Sequence, residues 1–393
     1  MPNSIPKAQL QLQDLSLHDG ASVLLRRSLA DLAIGDWLEV RGDSPGLPED
    51  LATWCRKEGH QYASFNDGTS RHRIQRGVGT PALVNPGKEV CEVADPAWGL
   101  APRGAKIEHG SPHLFFSLRQ KREVWAEELT TIYKQGVANQ WSASRDIPWS
   151  ELPELPVEVE SAVGQVMTFL TENEFAALYV PARFIARIHP HFREVVEVLA
   201  LQVADEARHA EAFTRRAKAG NTGLGTTAVS DQLSLQTLLE EPDFTIATFL
   251  LCVMGEGTFL TLLKFLEKYG PDPVTRKLAQ YAHRDEARHV AFGTAHIRYL
   301  LAREPERRGS LAVAVERRSR MLASISGLSP YVHESLVVLA GRGTSIPQIR
   351  HGAYLVKKLH REMDQTRRER LENLGFGREE AATLSAYHTK NFM

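Results

Sequence analysis

The spacing of apolar positions changes character once along the chain, near residue 77. Before it, short stretches alternate between a period of two and a helical period: 10–15 extended, 21–32 helical, 36–40 extended, 49–57 helical, then 61–65 and 72–75 extended. That order predicts a small α/β two-layer module over 1–77, with its helices packed on a sheet. Residues 78–112 carry Pro81, Pro86, Pro96, Pro102 and Pro112 among glycines, which predicts an ordered linker or cover loop. From 113 onward apolar residues recur every three or four positions over long stretches. They predict helices at 113–141, 157–188, 191–218, 243–269 and 273–303, and further ones at 307–326, 331–340, 346–374 and 378–387. Helices of that length suit a bundle. The expected fold is thus a two-domain α+β chain: the small module, then a mainly α domain over 113–393. In that domain four long helices form the core, and the accessory helices pack around it or mediate a homodimer.

Composition narrows the classes of function. The 393 residues include 47 lysines and arginines against 48 acids, so no whole-chain field draws the protein to nucleic acid or to an anionic membrane. The cysteines, Cys55, Cys91 and Cys252, form no C-x-x-C pair, which argues against a disulfide framework or a zinc ribbon and for a reducing cytoplasm. The first ten residues lack a basic-then-apolar signal pattern, and the longest apolar run, 246–254, is shorter than a membrane span.

The strongest chemical signal is D-E-A-R-H, present at 205–209 and again at 285–289, each time inside a long predicted helix. Glutamate and histidine three apart share a helix face, so Glu206 with His209, and Glu286 with His289, can each present a carboxylate oxygen and an imidazole nitrogen to one ion. A single copy reads as ordinary solvated helix surface; two copies with placed partner carboxylates do not. Glu174 falls on the apolar stripe of Val163, Met167, Leu170 and Leu178, whereas the alternative, Glu172, points to the other side of the helix. Glu256 lies in a segment apolar almost all the way round, where an unpartnered carboxylate is costly. Its neighbours Gly255 and Gly257 weaken that helix, so close helix approach or space for substrate is expected there. The 32 residues from Glu174 to Glu206, and the 30 from Glu256 to Glu286, bring the carboxylates back to one level in two antiparallel pairs. Asp205 and Asp285 are placed to accept from the remaining histidine N–H groups, and Arg208 and Arg288 to neutralise them, with pairing across the two repeats as the expectation.

Glu174, Glu206, His209, Glu256, Glu286 and His289 together match the E, E-x-x-H, E, E-x-x-H pattern, and residues 157–303 resemble the ferritin-like carboxylate-bridged di-iron superfamily. The resemblance implies two iron ions, or a manganese–iron pair, with dioxygen as co-substrate, an external electron donor and a small organic substrate. Ribonucleotide reductase small subunits carry a radical tyrosine where this chain has Phe213. Bacterial multicomponent monooxygenases place a threonine where it has Leu260, with Thr258 and Thr261 nearby but out of register. The p-aminobenzoate N-oxygenases place a third histidine where it has Ala282; the adjacent His283 is expected to support or pack rather than ligate. The ligand spacing is closer to those N-oxygenases and to acyl desaturases. Phe175 and Tyr179 are candidates to line a pocket or pass electrons. The expected activity is a hydroxylation, N-oxygenation or desaturation; iron oxidation and handling, or a non-catalytic partner-binding role, are the alternatives.

The N-terminal run D-L-S-L-H-D-G-A-S-V-L-L-R-R-S-L-A-D-L-A-I-G-D-W-L-E-V, followed by E-D-L-A-T-W-C-R-K-E-G-H, resembles the TusA/SirA sulfur-carrier family over 12–60. The family's Cys-Pro turn is replaced here by Asp19 and Gly20, and Cys55 lies in the second helix. The resemblance without its cysteine implies a docking or scaffold module that binds a protein partner.

Overall fold

The computed structural model describes residues 5–65, 70–79, 82–84, 89–108, 111–323 and 329–388. The chain forms two compact units, Met1–Glu89 with Ala101–His113, and Val90–Leu100 with Leu114–Met393.

In the first unit β1 (Ala8–Gln13), α1 (Ser22–Ala30), β2 (Trp37–Gly42), α2 (Leu47–Glu58), β3 (Gln61–Ser64) and β4 (Arg71–Gln75) follow one another. The sheet order is β1-β2-β4-β3, with β1 parallel to β2 and the other pairs antiparallel. One core holds Leu25 and Leu29 of α1, Leu51 and Trp54 of α2, and Leu12, Leu38, Val40 and Ile74 from the strands. Gly59, at φ 74°, ends α2 in the left-handed conformation that a side chain resists. This is the expected two-layer module. Strands β5 (Ala82–Val84) and β6 (Lys106–Glu108) form a separate antiparallel pair.

The second unit is helical: α3 (Lys121–Val124), α4 (Leu129–Ala138), α5 (Val157–Ile185), α6 (Arg193–Ala219), α7 (Val229–Leu239), α8 (Phe244–Thr248), α9 (Gly257–Tyr269), α10 (Pro273–Arg303), α11 (Arg307–Met321), α12 (Pro330–Gly341), α13 (Ile346–Asn373) and α14 (Arg378–Tyr387). α8 and α9 are one rod joined by a π-helical stretch, Phe249–Glu256. This rod with α5, α6 and α10 makes the four-helix core; α5 packs on α6, and α9 on α10. α12 and α13 cover α5 and α9. The rod, 244–269, is apolar and long enough to cross a membrane, yet 83% of its most apolar window is buried inside the fold, as befits a core helix.

Two local expectations fail. A continuous helix over 113–141 is absent: only α3 and α4 are helical. The Leu118 N–H instead donates to the Arg187 carbonyl at 2.9 Å and its carbonyl accepts from the His189 N–H at 3.0 Å. Tertiary backbone pairing at the end of α5 overrides the local pattern there. The helix α7 was not foreseen, because polar residues interrupt its stripe. The buried Arg318 of α11 reaches into it, donating to the Thr237 hydroxyl at 2.7 Å and the Ser234 carbonyl at 3.1 Å.

Candidate metal centre

Each core helix contributes to one buried cluster. Glu174 enters from α5, Glu206 and His209 from α6, Glu256 from the last residue of the π stretch, and Glu286 and His289 from α10. All six are at most 4% exposed. Their ligand atoms fall into two sets, Glu174, Glu206, His209 and Glu286, and Glu206, Glu256, Glu286 and His289; within each set they lie within 4.8 Å of one another. Glu206 and Glu286 belong to both sets, the position of a bridging carboxylate. Either set could hold a metal ion.

The imidazoles face the carboxylates through Nδ1. His209 Nδ1 is 3.1 Å from Glu206, and 3.4 Å from both Glu174 and Glu286. His289 Nδ1 is 3.0 Å from Glu206 and 3.4 Å from Glu286. On the far side of each ring Nε2 meets the aspartate of the other repeat: His209 with Asp285 at 3.0 Å, His289 with Asp205 at 3.3 Å. A carboxylate only accepts, so in the chain alone both ring nitrogens of each imidazole face acceptors and carry protons; the Nε2–aspartate bond is the one that persists when Nδ1 gives up its proton to ligate an ion. Arg208 contacts both Asp205 and Asp285, the latter at 3.0 Å; Arg288 does the same, reaching Asp205 at 3.2 Å.

Charge and orphaned atoms test whether cations fit. Six buried carboxylates face two arginines, which leaves four negative charges when the imidazoles are neutral; two divalent ions balance them. Glu174 Oε1 and Glu256 Oε2 are buried without a hydrogen-bond partner, and Glu206 Oε1, Glu286 Oε2 and His289 Nδ1 face one another out of hydrogen-bond alignment. Such atoms are costly unless something occupies the space between them. Protons stand in for that charge in the chain alone. Burial, reinforced by Glu206 on the one and Glu286 on the other, pushes Glu174 and Glu256 well above the usual carboxylate range. Burial opposes charge on His209 and His289, but the surrounding carboxylates prevail and hold both imidazoles well above their ordinary value. Burial likewise opposes charge on Glu206, where the imidazoles, His289 foremost, prevail and keep it ionised. Donors of hard oxygen and imidazole nitrogen in this number suit iron or manganese.

Three participants escaped sequence reasoning. Gln202 of α6 donates to Glu256 Oε1 at 2.9 Å, leaving Oε2 free; its place one turn before Glu206 was the available signal. Trp141 donates its indole N–H to Asp285 at 2.6 Å and stacks on Tyr281 at 5.0 Å. Gln140 donates to Asp205 at 3.1 Å and accepts from Arg208 at 2.6 Å. Both lie just beyond α4, at the end of the 113–141 stretch that the apolar pattern predicts as helix and that the fold does not continue as one.

The remaining candidates lie apart from the cluster or behind it. Glu172 is half-buried and accepts from the Thr227 hydroxyl. With Phe175 and Tyr179, which are 48% and 58% exposed, it lines an outer groove beside α7. Phe213 packs against His209, ring centres 6.2 Å apart. Thr258 is buried and donates to the Met254 carbonyl at 2.6 Å. His283 faces a groove between α9 and α13. Gly257 has a definite reason: a Cβ there would lie 2.5 Å from Nε of Arg370, so the glycine makes room for a guanidinium from α13.

No protein-family model and no curated protein matches the chain. Similar solved structures include a Synechococcus protein described as having aldehyde deformylating oxidase activity, 15% identical, covering 59% of this chain and 98% of that one at a TM-score of 0.42. An R2-like ligand-binding oxidase from Sulfolobus acidocaldarius is 17% identical, covering 62% of this chain and 92% of that one at a TM-score of 0.40.

Proposed function

We propose that the protein is an oxidoreductase that uses a di-iron or manganese–iron pair and dioxygen to oxidise a small organic substrate. The observation that carries this reading is the sharing of Glu206 and Glu286 between two ligand sets on four facing helices. Glu174, Glu206, His209 and Glu286 would hold one ion, and Glu206, Glu256, Glu286 and His289 the other. Bound there, the ions would supply redox chemistry and Lewis acidity for the reduction of dioxygen, with electrons drawn from an external donor.

The chain's own residues orient and insulate. Asp285 and Asp205 orient the histidine rings, whose imidazoles, despite burial, keep the aspartates ionised, and Arg208 and Arg288 pair with those aspartates and hold them in place. Gln202 sets the rotation of the Glu256 carboxylate. Phe213 is all but inaccessible and packs on His209, excluding water from that side of the cluster, which strengthens the charge interactions within it. The N-terminal module is read as a docking domain. Its Cys55 is buried, with burial pushing the thiol up to about 12, unlike a sulfur-carrying nucleophile.

The test is metal content per chain after reconstitution, with Mössbauer spectra of the reduced iron protein before and after dioxygen. Two coupled irons that are oxidised on exposure support the reading. Binding of less than about half an equivalent of metal overturns it.

A further inference from the structure

The inference concerns a groove on the outer side of the turn that carries Glu256, and it rests on the di-metal reading above. The groove lies among α9, α10 and α13 and has a volume of about 460 Å³, within the range of small-molecule sites. Its walls are apolar, from Leu260, Phe265, Leu355 and Leu359, while Lys264, Lys268, Lys358 and Arg370 supply positive charge. Glu362 is the one carboxylate among the described lining residues, and it is engaged by Lys358 at 3.6 Å. An apolar trough with an excess of cations is the inverse of the acidic cluster.

Arg370 connects the two. Its Nε donates to the Val253 carbonyl at 3.1 Å, within the π stretch, and its guanidinium rests on the backbone of Gly257, next to Glu256. Its Nη2 is buried with no hydrogen-bond partner. Burial, then the neighbouring Arg367, lowers its pKa to about 10 against the opposing pull of Glu369, the mark of a desolvated cation whose positive neighbour outweighs its negative one. A half-buried, desolvated guanidinium is costly, and a carboxylate on its groove-facing side relieves that cost by opposite charge. The opposite wall includes His283, three residues before Glu286.

We propose that this groove binds the substrate of the metal centre and that the substrate is an organic carboxylate with an apolar body. The carboxylate pairs with Arg370, Lys264 steadies it from the rim, and the apolar part lies along Leu355 and Leu359.

The test uses the full metal-free chain and calorimetric titration with 4-phenylbutanoate and its neutral analogue 4-phenylbutan-1-ol. One charge-assisted contact predicts about tenfold tighter binding of the carboxylate. Arg370→Gln removes that preference. Lys264→Gln, on the exposed rim and without risk to the fold, weakens the carboxylate about threefold and leaves the alcohol unchanged. Leu260→Trp fills the groove and abolishes both. Equal affinity for the two probes, or binding that survives both Lys264→Gln and Leu260→Trp unchanged, overturns the proposal and places the ligand elsewhere, for example in the outer groove at Phe175. After cobalt(II) loading, the carboxylate shifts the visible ligand-field bands with the same affinity. Binding without a spectral shift overturns the assignment of the groove to the metal centre. A chain that takes up no cobalt, yet binds the carboxylate in its metal-free form, overturns the di-metal reading itself.

Discussion

The two halves of the centre carry the same D-E-A-R-H ligand sequence on differently built helix pairs. α5 and α6 form a regular α-helical pair, and Glu174 sits in an unbroken apolar stripe. The partner of α10 instead reaches Glu256 through a π-helical stretch and follows it with Gly257, against which Arg370 packs. π-Helical turns widen the backbone and recur at functional sites. One half is therefore built to hold, and the other to hold while approaching a second layer of helices with a charged groove. The ligands are nearly symmetric; their surroundings are not.

The largest way to break the comparison acts on what the halves share. Glu206→Ala or Glu286→Ala removes a ligand from both sets and is expected to drop bound metal from about two ions per chain to nearly none, whereas Glu174→Ala or Glu256→Ala leaves about one. Metal analysis of equilibrated protein, with circular dichroism to verify helicity, separates these outcomes; equal losses in all four variants would dissolve the distinction between bridging and one-sided ligands.

Next in size is a tie between the halves. Arg216 of α6 is fully buried and donates to Glu160 of α5 at 2.5 Å and to Asp272, which caps α10, at 2.9 Å. Arg216→Leu leaves two buried carboxylates without their cation and should cost about 3–5 kcal/mol, read from urea unfolding of the metal-free chain. A loss below about 1 kcal/mol would show that water or rearrangement reaches the site.

A pH effect tests the second half alone. His296 of α10 donates from Nδ1 to the Trp125 carbonyl at 2.9 Å and accepts from the Thr245 hydroxyl at 3.0 Å, so it is held neutral. Burial lowers its pKa to about 4 from the ordinary 6.5, with the Trp125 bond and Asp243 opposing only in part. The unfolded chain therefore binds the extra proton first. His296 costs nothing above pH 6.5, and as pH falls from 6.5 to about 4 it removes on the order of 3 kcal/mol of stability. The drop between those pH values should shrink by that amount in His296→Gln; an unchanged pH profile would acquit the residue.

The smallest effect is the sharpest. Gly257→Ala gains about 1 kcal/mol of helix propensity but pushes the Arg370 guanidinium off its seat, so in the native background little or no stabilisation is expected. In an Arg370→Ala background the same change should stabilise by about 1 kcal/mol, measured as a double-mutant cycle by urea unfolding. Additive effects would mean that the glycine serves something other than room for Arg370.

By itself the sequence determined the long helices and the six ligand-type residues. Helical periodicity and the three-residue spacing of Glu206 with His209, and Glu286 with His289, are properties of a local backbone and need no tertiary knowledge. The sequence also specified that Glu256, alone in an apolar helix, needed a partner. Pairing across the two repeats was only an expectation of the sequence; the fold sets His209 against Asp285 and His289 against Asp205, because these residues meet only when α6 and α10 pack together. The fold likewise decided that Gln140 and Trp141, just beyond the end of α4 rather than in a helix continued to 141, complete the support. Phe175 and Tyr179 follow Glu174 closely in sequence, yet a helix turns about 100° per residue, and packing of α5 on α6 selected Glu174 for the interior and left both aromatics on the outside. Local order follows from covalent neighbours, while contacts between helices depend on which faces bury together, and a single chain does not state that residue by residue.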